Sequence, residues 1–183
     1  ALIGSKEGLA NFIQSIINPG DTVLIPNPGY PVYRTSVSLA GGVCEELFLT
    51  EENGYFPNFS DLTQETKSLA KLMILNYPNN PTAATVSLQQ LEEAVEFGRK
   101  ENILIAHDAA YDLITFDDYI APSILQVPQA KEVAIEFGSL SKSFNMTGWR
   151  IGYAVGNKEL IQALSVYKSN IDTGQFLPIQ KAA

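Results

Sequence analysis

The sequence predicts an α/β protein with a largely parallel central sheet. Three observations lead there. Short apolar runs alternate with segments of helical period. Most of the intervening segments are long enough for a crossover that returns the chain to the same edge of a parallel strand. The polar residues with useful chemistry also fall at the ends of the apolar runs, where ligands bind in open α/β sheets.

The elements follow in order. Residues 5–21, SKEGLANFIQSIINPGD, place Leu9, Phe12, Ile13, Ile16 and Ile17 at helical spacing, with Pro19-Gly20 as the stop. TVLIPN (22–27) is a short apolar run that reads as a buried strand. YPVYRTSVSLAGG (30–42) is helical up to Gly41-Gly42, and VCEELFL (43–49) is a strand. SDLTQET (60–66) reads as a short helix capped by Ser60. KLMILNYP (71–78) is a strand that runs into a Pro/Asn loop, and SLQQLEEAVEFGRKEN (87–102) is a helix capped by Ser87. NILIAHDAAY (102–111) is a strand ending in polar residues. KEVAIEFGSL (131–140) and RIGYAVGN (150–157) are two further strands, and KELIQALSVYKSN (158–170) is a helix. The link SFNMTGWR is too short for a helical crossover, so the last two strands are expected to pair antiparallel. With no repeat and no linker, residues 1–183 read as one domain.

Bulk properties narrow the function. Hydrophobic residues make up 45% and charged residues 17%, a globular composition. A net charge of −8 argues against nucleic acid or an anionic membrane as the partner. No apolar run is long enough to span a bilayer, and the N-terminus lacks the pattern of a secretory signal. The lone Cys44 favours a reducing, cytoplasmic setting, and one histidine with one cysteine argues against a His/Cys metal site. The chain has no initiator Met and stops in PIQKAA, which reads as helical, so a longer parent protein is expected.

The strand ends carry the candidate chemistry, and each residue also has an ordinary reading. Ser5, in GSKEG, either caps a helix or joins free backbone N–H groups at an anion site, to which Ser139 and Arg150 add a hydroxyl and a guanidinium. Lys142 is either a solvated loop lysine or, with cationic neighbours and partial burial, a nucleophile suited to imine chemistry. Asp108 caps a turn or faces a protonated ring nitrogen. Tyr30 is a core aromatic or a stacking platform, and Asn80 is a turn residue or a ligand donor. His107 reads as a packing or supporting residue, not a catalytic base. A phosphate cradle, an imine-forming lysine, a carboxylate for a pyridinium and donors for a phenolate together match pyridoxal 5′-phosphate (PLP).

The motifs GSKEG, NPGYPVY, NYPNNPT, HDAAYDLITF and SLSKSFNMTGWRIGYAVGN, spread over residues 4–157, resemble the large domain of class I/II, fold-type I PLP-dependent aminotransferases. NMTGWRIGYAVGN and KSNIDTGQF look most like the branch that contains LL-diaminopimelate aminotransferase. The resemblance implies a three-layer α/β/α domain and a homodimer. It also implies transfer of an amino group between an amino acid and a 2-oxo acid. By position it gives Lys142 the Schiff base and the proton shuttle, Asp108 the pyridinium, Tyr111 and Asn80 the phenolate, and Tyr30 the stacking face. Ser5, Lys6, Ser139 and Arg150 hold the phosphate, with Ser141 as a further candidate. Ala83 and Ala109 stand where the family commonly has Gly and Glu. The small domain, its substrate-carboxylate arginine and the residues lent by a dimer partner are expected outside this span, which alone is expected to be inactive. Other readings are a different fold-type I PLP reaction such as a C–S lyase, an aminotransferase-like sensor domain of a transcription regulator, and a cofactor-free α/β binding domain.

Overall fold

Six strands form one sheet in the order β2-β1-β3-β4-β5-β6. They are β1 (Thr22–Asn27), β2 (Val43–Phe48), β3 (Ala70–Asn76), β4 (Leu104–Asp108), β5 (Ala134–Ser139) and β6 (Gly152–Gly156). The first five are parallel, and β6 runs antiparallel to β5, as the short link predicts. The structure, a computed structural model, describes residues 1–172 and 174–183.

The central strands are largely apolar because both faces are covered. Alternate side chains go to opposite sides: Val23, Ile25, Leu72, Ile74 and Ala106 to one face, and Leu24, Met73, Leu75 and Ile105 to the other. The first face packs on α1 (Ser5–Ile16), α2 (Val32–Leu39) and α6 (Lys158–Ser169) through Leu9, Phe12, Ile13, Val37 and Leu160. The second packs on α4 (Leu88–Glu101) through Leu91, Ala94 and Val95. This is the three-layer arrangement. Edge strand β2 alternates exposed and half-buried residues over most of its length, because one of its edges lacks a neighbour.

The segment 60–66 is a correction. Ser60 caps nothing. Asn58 accepts from the Ser60 N–H and caps a 3-10 turn (Phe59–Asp61), and Thr63 accepts from Thr66 to start α3 (Gln64–Leu69). Two short-side-chain caps five residues apart divide what reads as one helix. Ser87 caps α4 as expected, in a reciprocal capping box with Gln90. The link after β5 holds one helical turn, α5 (Leu140–Ser143), and a 3-10 turn (Thr147–Trp149). PIQKAA falls largely within α7 (Leu177–Ala182). Among the described residues no helix is long and apolar enough to cross a membrane.

Candidate active site

The strand order reverses between β1 and β3, and the crevice beyond their carboxyl ends is where such sheets bind ligands. A cavity of about 270 Å³ lies there. All ten residues singled out from the sequence line it: Ser5, Lys6, Tyr30, Asn80, Asp108, Tyr111, Ser139, Ser141, Lys142 and Arg150.

One end suits an anion. Gly4 precedes α1 and has no side chain, so no side chain caps the first turn. Ser5 is the first residue of the helix itself, which removes its reading as a cap. Gly4 has φ 78°, on the positive side that favours glycine, and a Cβ there would stand 2.4 Å from Arg150 Nη2. The missing methyl thus lets the guanidinium lie against the helix start. Arg150 Nη1 donates to the Thr147 carbonyl at 2.8 Å and to Ser141 Oγ at 3.3 Å. Ser139 Oγ accepts from the Ser141 N–H at 3.2 Å and opens the turn that presents Lys142. Among the described residues, Lys6, Lys142 and Arg150 make no ion pair, although the chain has an acidic excess.

The other end is a buried carboxylate. Asp108 closes β4 and is 4% exposed. Its Oδ2 accepts from the Tyr33 hydroxyl at 2.7 Å, and its Oδ1 accepts from the Ala110 N–H at 3.3 Å. Burial pushes its carboxyl above the ordinary range, partly offset by those two donors and by His107. Burial and the Asp108 charge push the Tyr33 phenol well up, so it stays a donor. Burial, then Asp108 and Tyr30, raise Tyr111 in the same way. Lys142 Nζ lies 5.9 Å from the Tyr111 ring centroid, and Lys6 Nζ lies 5.8 Å from that of Tyr30.

A family model, aminotransferase class I and II, matches residues 1–179. The chain belongs to the class I and II aminotransferase family. LL-diaminopimelate aminotransferase of Natranaerobius thermophilus is 53% identical over 182 residues, covering 100% of this chain and 47% of that protein. The enzyme of that name from Moorella thermoacetica is 51% identical, covering 99% and 46%. Substrate-bound BacF of Bacillus subtilis superposes with a TM-score of 0.96 at 41% identity, over 99% of this chain and 46% of that one. An aminotransferase from Staphylococcus aureus gives 0.95 at 42%, over 99% and 48%. The chain therefore spans about half the length of these proteins.

Within this chain the structure adds site residues that sequence reasoning missed. Tyr33 holds Asp108. Asn76, at the end of β3, donates to the Asp108 carbonyl at 2.9 Å and accepts from the Asn80 N–H at 2.8 Å, locking two strand ends together. The signal for Tyr33 was its place one helical turn after Tyr30. The rings meet edge to face, with centroids 5.9 Å apart. Lys142 differs from expectation: it is exposed at the cavity mouth rather than partly buried, because the turn after β5 lifts it off the sheet. Ala83 takes a left-handed conformation, φ 60°, where a glycine is common in the resembled family. A second cavity of about 580 Å³ shares Asn80 and Tyr111 with the first and is walled by Ile114, Phe116 and Tyr119.

Proposed function

We propose that this chain is the cofactor-binding part of a PLP-dependent aminotransferase that moves an amino group between an amino acid and a 2-oxo acid. The supporting observation is the pairing, in one cavity, of a buried Asp108 with three cations that make no ion pair among the described residues. The residues fit the cofactor. The volume, about 270 Å³, suits one small ring bearing a phosphate, at the lower limit of ligand pockets (about 300–1,000 Å³). The anion end offers the open first turn of α1, the Ser139 and Ser141 hydroxyls and Arg150. An ionised carboxylate has about four acceptor sites, and Asp108 receives two donors among the described residues, which leaves room for a ring N–H. The Asn80 and Tyr111 side chains lie between the two ends with no hydrogen bond among the described residues, free for a phenolate oxygen.

PLP, when bound, supplies an electron sink that makes loss of a proton from the substrate Cα feasible. The chain's residues do the rest. Lys142 would be the amine that holds the cofactor and the base that moves the Cα proton. Asp108, ionised and held by Tyr33, keeps the ring nitrogen protonated. Tyr30 and Ala110 bound the ring, and Arg150 with the α1 N-terminus fixes the phosphate. Lys6, in the first turn of α1, adds a further cation for the phosphate. The 53% identity to a protein named LL-diaminopimelate aminotransferase supports a donor carrying a second charged end. The reading extends to a homodimer, whose second copy would cover the exposed Leu113, Phe116 and Ile120 beside the cavity, and to a cytoplasmic setting suited to the free Cys44.

The test uses the full-length protein. PLP is added, the adduct is reduced with borohydride and the peptides are mapped. A pyridoxyl group on Lys142, together with amino transfer from LL-diaminopimelate to a 2-oxo acid, is the expected result. An unlabelled Lys142 overturns the reading.

A further inference from the structure

Behind the cavity, on the face of the sheet away from Asp108, lies a buried polar group that the proposed reaction does not use. His107 is fully buried on β4, one residue before Asp108. Its register partner on β5 is Glu136, three residues before Ser139. The ring Nδ1 lies 3.0 Å from Glu136 Oε2. Glu136 also accepts from Ser123 Oγ, at 2.8 and 2.9 Å to its two oxygens, and from the Ile124 N–H at 2.9 Å. Burial opposes ionisation of Glu136, but His107, Ser123 and Ile124 together outweigh it and hold the carboxyl below its ordinary range. The carboxylate is therefore the acceptor, and Nδ1 carries the proton.

This one carboxylate touches three of the segments that furnish the cavity. His107 belongs to the strand that ends in Asp108. Glu136 belongs to the strand that ends in Ser139 and leads to Lys142. Ser123 and Ile124 close the long loop that begins at Tyr111. The middle of that loop has little else to hold it: Leu113, Phe116 and Ile120 are 62%, 78% and 85% exposed. Tyr119 ties it to Val86 by its hydroxyl.

We propose that His107 is a positioning residue for the cofactor cavity: by donating to Glu136 it keeps that carboxylate aimed at Ser123 and Ile124, which anchors the loop bearing Tyr111 beside Asp108 and Lys142. His107 touches neither cofactor nor substrate. Without its donor the carboxylate turns or takes up water, the far end of the loop is released, and Tyr111 loses its fixed distance from Lys142.

The test uses three variants of the full-length protein. His107→Leu removes the donor, His107→Asn restores an N–H close to the Nδ1 position, and Ser123→Ala releases the loop end while leaving the buried pair intact. The readouts are hydrogen exchange of residues 109–124 in the cofactor-free protein and the dissociation constant for added PLP. His107→Leu and Ser123→Ala are expected to speed exchange in this loop selectively and to weaken PLP binding about tenfold, the loss of one hydrogen bond to a charged group. His107→Asn is expected to recover most of both. The proposal is overturned if loop exchange stays at the wild-type rate in His107→Leu and Ser123→Ala, or if His107→Asn behaves like His107→Leu. The PLP readout rests on the function proposed above. A wild-type protein that takes up no PLP would sink that function, while the exchange readout would still decide the role of His107.

Discussion

Asp108 answers two opposed demands. Ionised, it can hold a ring proton, yet it is shut away from water, and burial raises its carboxyl above the ordinary 3.8. A carboxyl raised by folding lowers stability at neutral pH, and that cost disappears as pH falls through the raised value. Asp108→Asn in the cofactor-free full-length protein is therefore expected to raise the melting temperature at neutral pH. The gain should vanish in acid, and PLP affinity should fall at neutral pH. Thermal unfolding at several pH values checks the sign. Tyr33→Phe acts on the same residue from the other side. It removes the 2.7 Å donor from a buried acceptor and is expected to cost about 1–3 kcal/mol in urea unfolding. It also pushes the Asp108 carboxyl higher, so the acid limit of cofactor binding should shift to higher pH. Asp108 was legible from its place at a strand end. Tyr33 was legible only as an aromatic one turn after Tyr30, because its role depends on a partner 75 positions away in the chain.

At the scale of single elements, two backbone positions predict opposite effects of a methyl group. At the start of α1, Gly4 has φ 78° and ψ 159°, a region open almost only to glycine, and Arg150 occupies the space of a Cβ. Gly4→Ala is expected to cost about 1–3 kcal/mol and to displace the guanidinium, weakening phosphate and PLP binding together. In the loop after β3, Ala83 already pays the left-handed penalty at φ 60°. Ala83→Gly is expected to stabilise the protein by about 1 kcal/mol with PLP affinity unchanged, measured by urea unfolding and cofactor titration. The helices and strands were largely legible because their apolar spacing is local. The 58–69 segment was not: Asn58, Ser60 and Thr63 are all competent caps, and only the folded geometry chooses among them. Lys142 was found by its spacing from Ser139 and Arg150, but its exposure follows from how α5 leaves the sheet, which spacing does not encode.

The molecule is acidic over the whole chain, yet three cations crowd one cavity and repel one another, and a bound anion relieves that repulsion. Inorganic phosphate is expected to raise the melting temperature of the cofactor-free full-length protein, with a gain of about 2.7 kcal/mol once its concentration reaches a hundred times its dissociation constant. Arg150→Gln should abolish most of that gain. The sequence located the cavity because a parallel sheet gathers its strand ends on one side, whatever the spacing of those ends along the chain. One contact shows how far that gathering reaches. Leu2 and Gly152 form an antiparallel bridge, with N–H···O distances of 2.8 and 3.1 Å, and it brings Gly4 and Ser5 to Arg150. During synthesis the start of α1 must therefore wait for some 150 further residues, and loop closure over such a span is slow. The ribosome completes the sheet's five parallel strands before the chain can close its anion cradle, so a nascent chain stalled short of β6 would have all five and no grip on phosphate.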